Sequence, residues 1–430
     1  MSTPGTPLGP SPLAAGEDNL SLEQARAAIS AALRPVTATQ SVPLMLALGR
    51  VLAADLISPI HVPAHDNSAM DGFAFNGGDL LAAATTELRL VGSVWAGAVF
   101  RGTLAAGDCV RIMTGAVMPA GLDSVVPLEL CTADAAHVRI APGLLRPGDN
   151  RRHRGEDLML GQPALRAGRT LTPADLGLIA SLGIADVNVF QRLRVALFST
   201  GNELRTLGQP LDPACVYDSN RYSLMAALQR LNAEVIDLGL VADDPLALQA
   251  TLQAALQQAD VVLTSGGVSA GDADHTRAVL AQMGDVAFWK VAMRPGRPFA
   301  FGPLRRPAGD PQAPAWLFAL PGNPVAALVT FYALVRPALL QLAGAEARPF
   351  VALQVRCTSA IRKRPGRSEF QRGIVEPASG GGWQVRLTGS QGAGVLRSMS
   401  EANALIVLHH DQASVAAGDP VEVWLFEGLA

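Results

Sequence analysis

The chain has 430 residues, 34 Lys+Arg against 37 Asp+Glu and a formal net charge of −3, a balance that argues against a dedicated nucleic-acid binder. At ~100–200 residues per domain the length predicts two to four domains with ample cores. Charged residues make up only 17% and mean hydropathy is +0.25, yet the longest charge-free stretch, from Pro311 to Val335, is interrupted by Pro311, Pro314, Pro321 and Pro324 and reads as a buried strand followed by a helix, with no membrane span.

Residues 1–18 are rich in Pro, Gly, Ser and Thr, the composition of a disordered tail, and show no signal-peptide pattern. Ser21 and Gln24 frame a capping box for a helix reaching Leu33. Between Leu88 and Pro142 the pattern changes to short strands (LRLVGSVWAG, DCVRIMTGA, SVVPLEL, HVRIAP) separated by Gly, Pro and Asp, as in a small β-rich domain. Thr172 to Leu182 reads as a helix expected to pack near the first. From Arg192 to Ala343, five apolar runs (RVALFS, EVIDLGLV, DVVLTS, VAFWKV, AWLFAL) alternate with helical patterns such as Leu224/Leu228/Leu231 and Leu248/Leu252/Leu256. Alternating strands and amphipathic helices imply a parallel sheet with right-handed crossovers. Beyond Ala343 the period returns to two in FVALQVRC, FQRGIVEP, WQVRLTG, ALIVLHH and PVEVWLF, a small all-β domain. The expected division is a tail at 1–18, a discontinuous helical/mixed domain at 19–63 plus 148–190, a β-rich domain at 64–147, an α/β domain at 191–345 and a β domain at 346–430.

Lys290 and Lys363 are the only lysines and neither follows glycine, which excludes a P-loop. No Gly-x-Gly-x-x-Gly follows a strand, so a dinucleotide fold is unsupported. Cys109, Cys131, Cys215 and Cys357 show no zinc or Cys-x-x-Cys spacing and read as free thiols in a reducing cytoplasm.

In an open parallel sheet, ligands bind at the carboxyl ends of the strands. Five loops converge there: Ser199 to Glu203, Asp243 to Pro245, Ser265 to His275, Arg294 to Pro298 and Leu320 to Pro324. The glycine-rich loop of Ser265, Gly266, Gly267 and Ser269 can turn backbone N–H groups toward a phosphate, although an ordinary turn explains it equally well. Asn323 and Pro324 form an N-cap followed by Pro at the first helical position, and Pro321 and Gly322 shape the adjoining wall. Glu203, Asp243 and Asp274 sit on three different loops. Each alone reads as a cap or a solvated acid; together they would form an oxygen-rich site for Mg²⁺ beside a phosphate. Arg294 and Arg297 add guanidinium forks suited to a tetrahedral oxyanion. The set points to metal-assisted phosphoanhydride chemistry.

A competing motif is Gly267-Val268-Ser269-Ala270-Gly271, which matches a nucleophile elbow, with His409 and His410 downstream. An elbow needs a sharp strand-to-helix turn, whereas the strand here ends near Thr264 and the helix begins near Asp274. Asp66 to Ala74 and Arg111 to Ala116 read as turns, and Arg151 to Asp157 as a mixed-sign, ion-paired segment.

Taken together, DNSAMDGFA, RIMTGA, RRHRGED, STGNEL, YDSNR, TSGGVSAGDADHT, RPGRPFAFG, LPGNPV and FQRG closely resemble the molybdopterin molybdenumtransferase family, which includes bacterial MoeA and the gephyrin E domain. The motifs follow the family's order from about Leu20 to the C-terminus. With the patterns above, the resemblance implies a multidomain α/β plus β protein. It would have a central three-layer α/β/α domain with a mostly parallel sheet, a small β-rich domain, a helical/mixed linker domain and a C-terminal barrel-like β domain.

The resemblance also implies the last step of molybdenum cofactor synthesis. Adenylylated molybdopterin and molybdate give molybdenum-bound cofactor and AMP, with Mg²⁺, in the cytoplasm. It implies a homodimer whose active site lies between subunits, together with contacts to other cofactor-synthesis proteins. Matched to the family's motifs, the functional acids and hydroxyl fall on Asp71, Thr114, Asp157, Glu203, Asp243 and Asp274. The wall prolines fall on Pro321 and Pro324, and the anion contacts on Lys290, Arg294, Arg297 and Arg372. Four positions depart from the family. Arg294 and Arg297 stand where Lys is frequent, Asn202 replaces an acid, and Ala393 stands where relatives can carry Ser. Molybdopterin adenylyltransferase shares the sheet domain and remains an alternative, as does a non-catalytic scaffold.

Overall fold

Ser21 accepts a hydrogen bond from Gln24 N at 3.1 Å while Gln24 Oε1 accepts from Ser21 N, and this reciprocal cap starts helix α1 (Leu22–Ala32). The computed structural model describes residues 19–267, 273–306, 313–346 and 351–426. Thr172 and Asp175 form a second capping box and, with Pro173 at the first helical position, begin α2 (Pro173–Ser181). Near it, Thr39–Pro43 pairs antiparallel with Asp186–Phe190, so segments far apart in sequence close over one core containing Val42, Leu52, Ile179 and Val189.

The β-rich region is a six-stranded sheet. Its strand order is Ser124–Pro127, Gly72–Phe75, Asp108–Ile112, Thr86–Val94, His137–Ile140 and Cys131–Ala133. Asp66 to Ala74 has the composition of a turn, but Gly72–Phe75 is an interior strand of this sheet, buried at every position. Glycine is required there: a Cβ on Gly72 would lie 1.9 Å from the Val126 carbonyl oxygen.

The central sheet holds β1 (Arg194–Thr200), β2 (Glu234–Val241), β3 (Val261–Ser265), β4 (Ala287–Lys290), β5 (Pro298–Leu304) and β6 (Ala315–Leu320), in the order β2-β1-β3-β6-β5-β4. β1, β2, β3 and β6 pair in parallel. The five expected runs all point the same way, but the sheet has a sixth strand. β5 runs antiparallel to β6 and β4, so β4 and β5 form a hairpin where the alternation had implied another crossover. Pro298 and the glycine at 302 masked its strand pattern. On β1, Val195 and Leu197 face a core shared with α3 (Asn220–Arg230), while Ala196 and Phe198 face one shared with α4 (Pro245–Leu256) and α5 (Ala273–Met283). The chain moves from β1 through α3 to β2, and from β2 through α4 to β3 on the other side of β1. A crevice therefore opens at the carboxyl ends of β1 and β3.

After β6, α6 (Pro324–Thr330) continues through a π turn into Arg336–Leu342. This helix is long and apolar enough to cross a membrane, but its Val325, Ala327, Val329, Leu334 and Leu339 fill the core beside the sheet. Five C-terminal strands, Ala352–Cys357, Ser368–Pro377, Trp383–Leu387, Ala404–Leu408 and Pro420–Leu425, close into a barrel through the pairing of Ser368–Pro377 with Ala404–Leu408. Met293–Arg294 extends this barrel as a sixth, parallel strand and so joins it to the central sheet.

Candidate active site

Four of the five expected loops meet in a cleft of about 900 Å³ between the strand ends and the barrel's Gln391 to Leu396 segment. Thr200, Glu203, Ser265, Arg294, Arg297 and the Pro321 to Pro324 wall all line it. Close approach of β1, β3 and β6 explains the glycine at 266. Its N–H donates to the Leu320 carbonyl, its φ is +97°, and a Cβ would sit 2.2 Å from the Thr200 oxygen. Gly267 follows, also with positive φ.

The acids stand on the rim. Glu203 is exposed, and its carboxylate folds back over Gly201, where a Cβ would meet Oε2 at 2.6 Å. Asp243 lies beside Thr200, whose Oγ1 donates to Asp243 Oδ1 at 3.4 Å, and the Asp243 N–H donates to Asn202 Oδ1. Asn202, the residue standing in place of an acid, thus braces the Asp243 backbone. The Asp274 backbone belongs to α5, but its side chain lies outside the described residues, as do Ser269 and the rest of the proposed elbow. Among the described residues no three His, Cys, Asp or Glu side chains come together as a metal cluster. Glu203 in the cleft, and Asp243, bonded to Thr200 and Asn202 of the same loop, nonetheless supply two hard carboxylate donors. That fits a cation such as Mg²⁺, which keeps waters and takes one or two carboxylates beside a phosphate.

Arg294 and Arg297 are exposed at the cleft, and Arg297 Nη2 donates to Asn19 Oδ1 at 2.8 Å. Arg372 is placed differently. It is 1% exposed; its Nε donates to Ser398 Oγ and its Nη2 to the Gly392 and Ser390 carbonyls. Burial, and then the charge of Arg294, push its guanidinium down to about 10. Arg372 therefore holds the 390–392 loop that forms the barrel side of the cleft. Ala393 occupies that loop, and its carbonyl accepts from Val325 N at 3.0 Å.

Lys290, Asp71, Thr114, Asp157 and Asp243 do not line this cleft, although Asp243 adjoins it through Thr200. Lys290 pairs with Pro298 in the β4–β5 hairpin. Asp71 Oδ1 accepts from both the N–H and the Oγ1 of Thr114 at 2.7 Å, and these two bonds hold its carboxyl below the usual range. That pair sits in the β-rich sheet region. Asp157 is exposed, and its N–H donates to the Val62 carbonyl. The expected pairing in the Arg151 to Asp157 segment is present as Arg152–Glu156 at 2.6 Å. His409, the elbow's distant candidate, bonds Glu422 within the barrel.

The Tyr217 to Arg221 motif has a role that its sequence does not show. Asn220 lines the cleft, and its Nδ2 donates to Ser265 Oγ and to the Gly322 carbonyl, each at 2.7 Å. One amide thus fixes two strand-end loops. Asp218, 1% exposed, accepts from Ser199 Oγ and Arg221 Nε, and Arg221 reaches on to Asp237 at 2.7 Å. An Asp-Ser-Asn run before a helix looks like an ordinary cap in sequence. Only the fold shows that Asp218 is buried.

The geometry has counterparts among known proteins. Residues 20–183 match the family profile described as the MoeA N-terminal region (domain I and II). Residues 196–341 match a probable molybdopterin binding domain, and residues 354–426 the MoeA C-terminal region (domain IV). The chain is 42% identical over 414 residues to the molybdopterin molybdenumtransferase of Haemophilus influenzae, covering 95% of this chain and 99% of that one. It is 37% identical over 390 residues to the protein of the same name from Nostoc, covering 90% and 88%. The solved structure of the molybdopterin biosynthesis moeA protein from Pyrococcus horikoshii OT3 superposes with a TM-score of 0.82 at 25% identity, covering 95% of this chain and 100% of the other.

Proposed function

Because the chain belongs to the molybdopterin molybdenumtransferase (MoeA) family, a transferase family of molybdenum cofactor biosynthesis, we propose that its cleft inserts molybdate into adenylylated molybdopterin and releases AMP with Mg²⁺. The observation that carries this reading is one cleft bearing the Glu203 carboxylate, two exposed arginine forks and a proline wall, beside the glycine-only backbone approach at Gly266.

Gly266 and Gly267 let the backbone lie against a phosphate of the substrate. Pro321 to Pro324, pinned through Gly322 by Asn220, form a rigid face that orients the organic part. Arg294 and Arg297 hold the molybdate oxyanion bidentately, where lysine would offer only a point charge. Glu203 and Asp243, with Asp274 as a proposed third donor, are the residues that would hold Mg²⁺. The bound ion supplies neutralisation of the charge on the leaving phosphate. Arg372 acts by ordering the 390–392 loop and adds positive charge behind Arg294. Asp71, Thr114 and Asp157 lie outside this cleft, which supports a homodimer in which these residues of one subunit complete the site of its partner. The division at 19–63 plus 148–190, 64–147, 191–345 and 346–430 belongs to the same proposal; the Thr39–Pro43 pairing with Asp186–Phe190 supports its discontinuous first domain.

Purified protein incubated with adenylylated molybdopterin, Mg²⁺ and molybdate is expected to release AMP only when molybdate is present. Glu203→Gln should lower the rate ~100-fold while pterin binding persists. Wild-type protein that binds the substrate and returns it unchanged would favour the scaffold reading and defeat this one.

A further inference from the structure

A second cleft of about 910 Å³ opens on the barrel side of Arg294, and its charge is lopsided. Arg294, Arg297, Arg362, Lys363, Arg364 and Arg367 all line it, against the single acid Glu369. Glu369 is 2% exposed and already neutralised by Arg367 Nε at 2.8 Å. Arg294, Arg297, Arg362 and Arg364 are exposed and form no ion pair with any carboxylate among the described residues. Lys363 Nζ is spent on the Arg364, His410 and Gln412 carbonyls, so it shapes the loop and adds charge from behind. Asp411, the other acid acting on Lys363, is itself 98% exposed.

The whole chain has slightly more acids than bases, so this concentration of unpaired guanidinium is not an overflow of net charge. Like charges gathered around one concavity repel each other and focus positive potential into it, which an anion relieves. No aromatic residue lines the cleft, so a nucleobase finds no stacking surface there. The donors are forks, which match tetrahedral oxygens.

We propose that the Arg362/Arg364 face of the barrel, with Arg294 and Arg367 shared with the strand-end cleft, is a second oxyanion site, which takes a doubly charged tetrahedral oxyanion. The source is either a free inorganic anion or a phosphate monoester. Arg362 and Arg364 do not line the strand-end cleft, whereas Arg294, Arg297 and Arg367 line both. Anions in the two sites therefore share counter-charges, and filling one alters affinity for the other.

Calorimetric titration of the full chain at low ionic strength with sodium molybdate, inorganic phosphate and AMP tests the site. Wild type is expected to show a saturable event that Arg362→Gln/Arg364→Gln weakens at least tenfold. Arg101→Gln/Arg146→Gln, which removes equal charge from exposed positions in the β-rich region, should leave that event unchanged. Signals from molybdate and phosphate assign the free anion; a signal from AMP alone assigns the monoester. Melting temperatures read alongside separate misfolding from lost binding, and Arg364→Lys should keep the event at reduced affinity. Full binding by the 362/364 variant, or an equal loss in the 101/146 control, overturns the proposal. Glu203→Gln should retain this event, so an inactive transferase with intact anion binding faults the proposed reaction and not this site.

Discussion

The Asp218 carboxylate shows how much one buried side chain can organise. It accepts from Ser199 at the end of β1 and from Arg221 on α3, while Arg221 donates to both oxygens of Asp237 on β2. Removing one member of a buried pair is costly because the other charge stays behind without compensation. Arg221→Met is therefore expected to destabilise the chain by about 3–5 kcal/mol in urea unfolding. Loss of under about 1 kcal/mol, the size of a surface pair, would show that water already solvates the network. Asp71 makes the complementary point. Its two bonds from Thr114 join segments 43 residues apart and leave no local pattern in the chain, although the carboxylate and the hydroxyl both stand in motifs that resemble the family's.

At the scale of elements, local caps were legible and strand pairing was less so. The capping box expected at Ser21/Gln24 forms, and the helix expected from Thr172 opens on a second one, Thr172/Asp175, because such chemistry lies within four residues. Asp175 is also tied to Arg169 at 2.8 Å. Burial pushes its carboxyl up, but the bonds from Arg169 and Thr172 outweigh burial and hold it below the usual value. For a carboxyl depressed in the folded state, the stabilisation is present above the unfolded pKa of ~3.9 and is lost as pH falls through the folded one. Asp175→Asn should accordingly lower the urea midpoint at neutral pH and flatten its decline below pH ~4. An unchanged acid limb would mean that other carboxylates carry it. The β4–β5 hairpin was missed for a different reason: a proline and a glycine erased the pattern of a strand whose pairing is set by distant β6.

Over the whole molecule, one apolar core runs from α1 through the central sheet into the barrel. Leu22 and Ile29, Leu197 and Phe318, and Phe370, Leu405 and Trp424 belong to the same cluster. Arg26 lies over the Trp424 ring at 5.3 Å, so the N-terminal helix also covers the barrel. The β-rich sheet keeps separate cores around Val110 and Phe75. Trp424→Ala should cost about 3–5 kcal/mol. In hydrogen exchange it should lower protection in the barrel and central sheet together while leaving the Gly72–Phe75 region unchanged. Loss confined to the barrel would show that the shared core does not couple them.

By itself the sequence determined the helix starts, the five co-directional strands, the five β runs of the C-terminal unit, and the strand-end loops as the place for Glu203, Arg294 and Pro321 to Pro324. These follow from period, turn chemistry and the rule that parallel strands present their ends on one side. Tertiary structure alone decided that Arg372 lies behind a loop, that Asn220 ties Ser265 to Gly322, and that Arg362 and Arg364 come to face Arg294. Those outcomes depend on barrel closure and on the two-residue strand Met293–Arg294, and contacts between segments tens of residues apart leave no periodic trace in the chain.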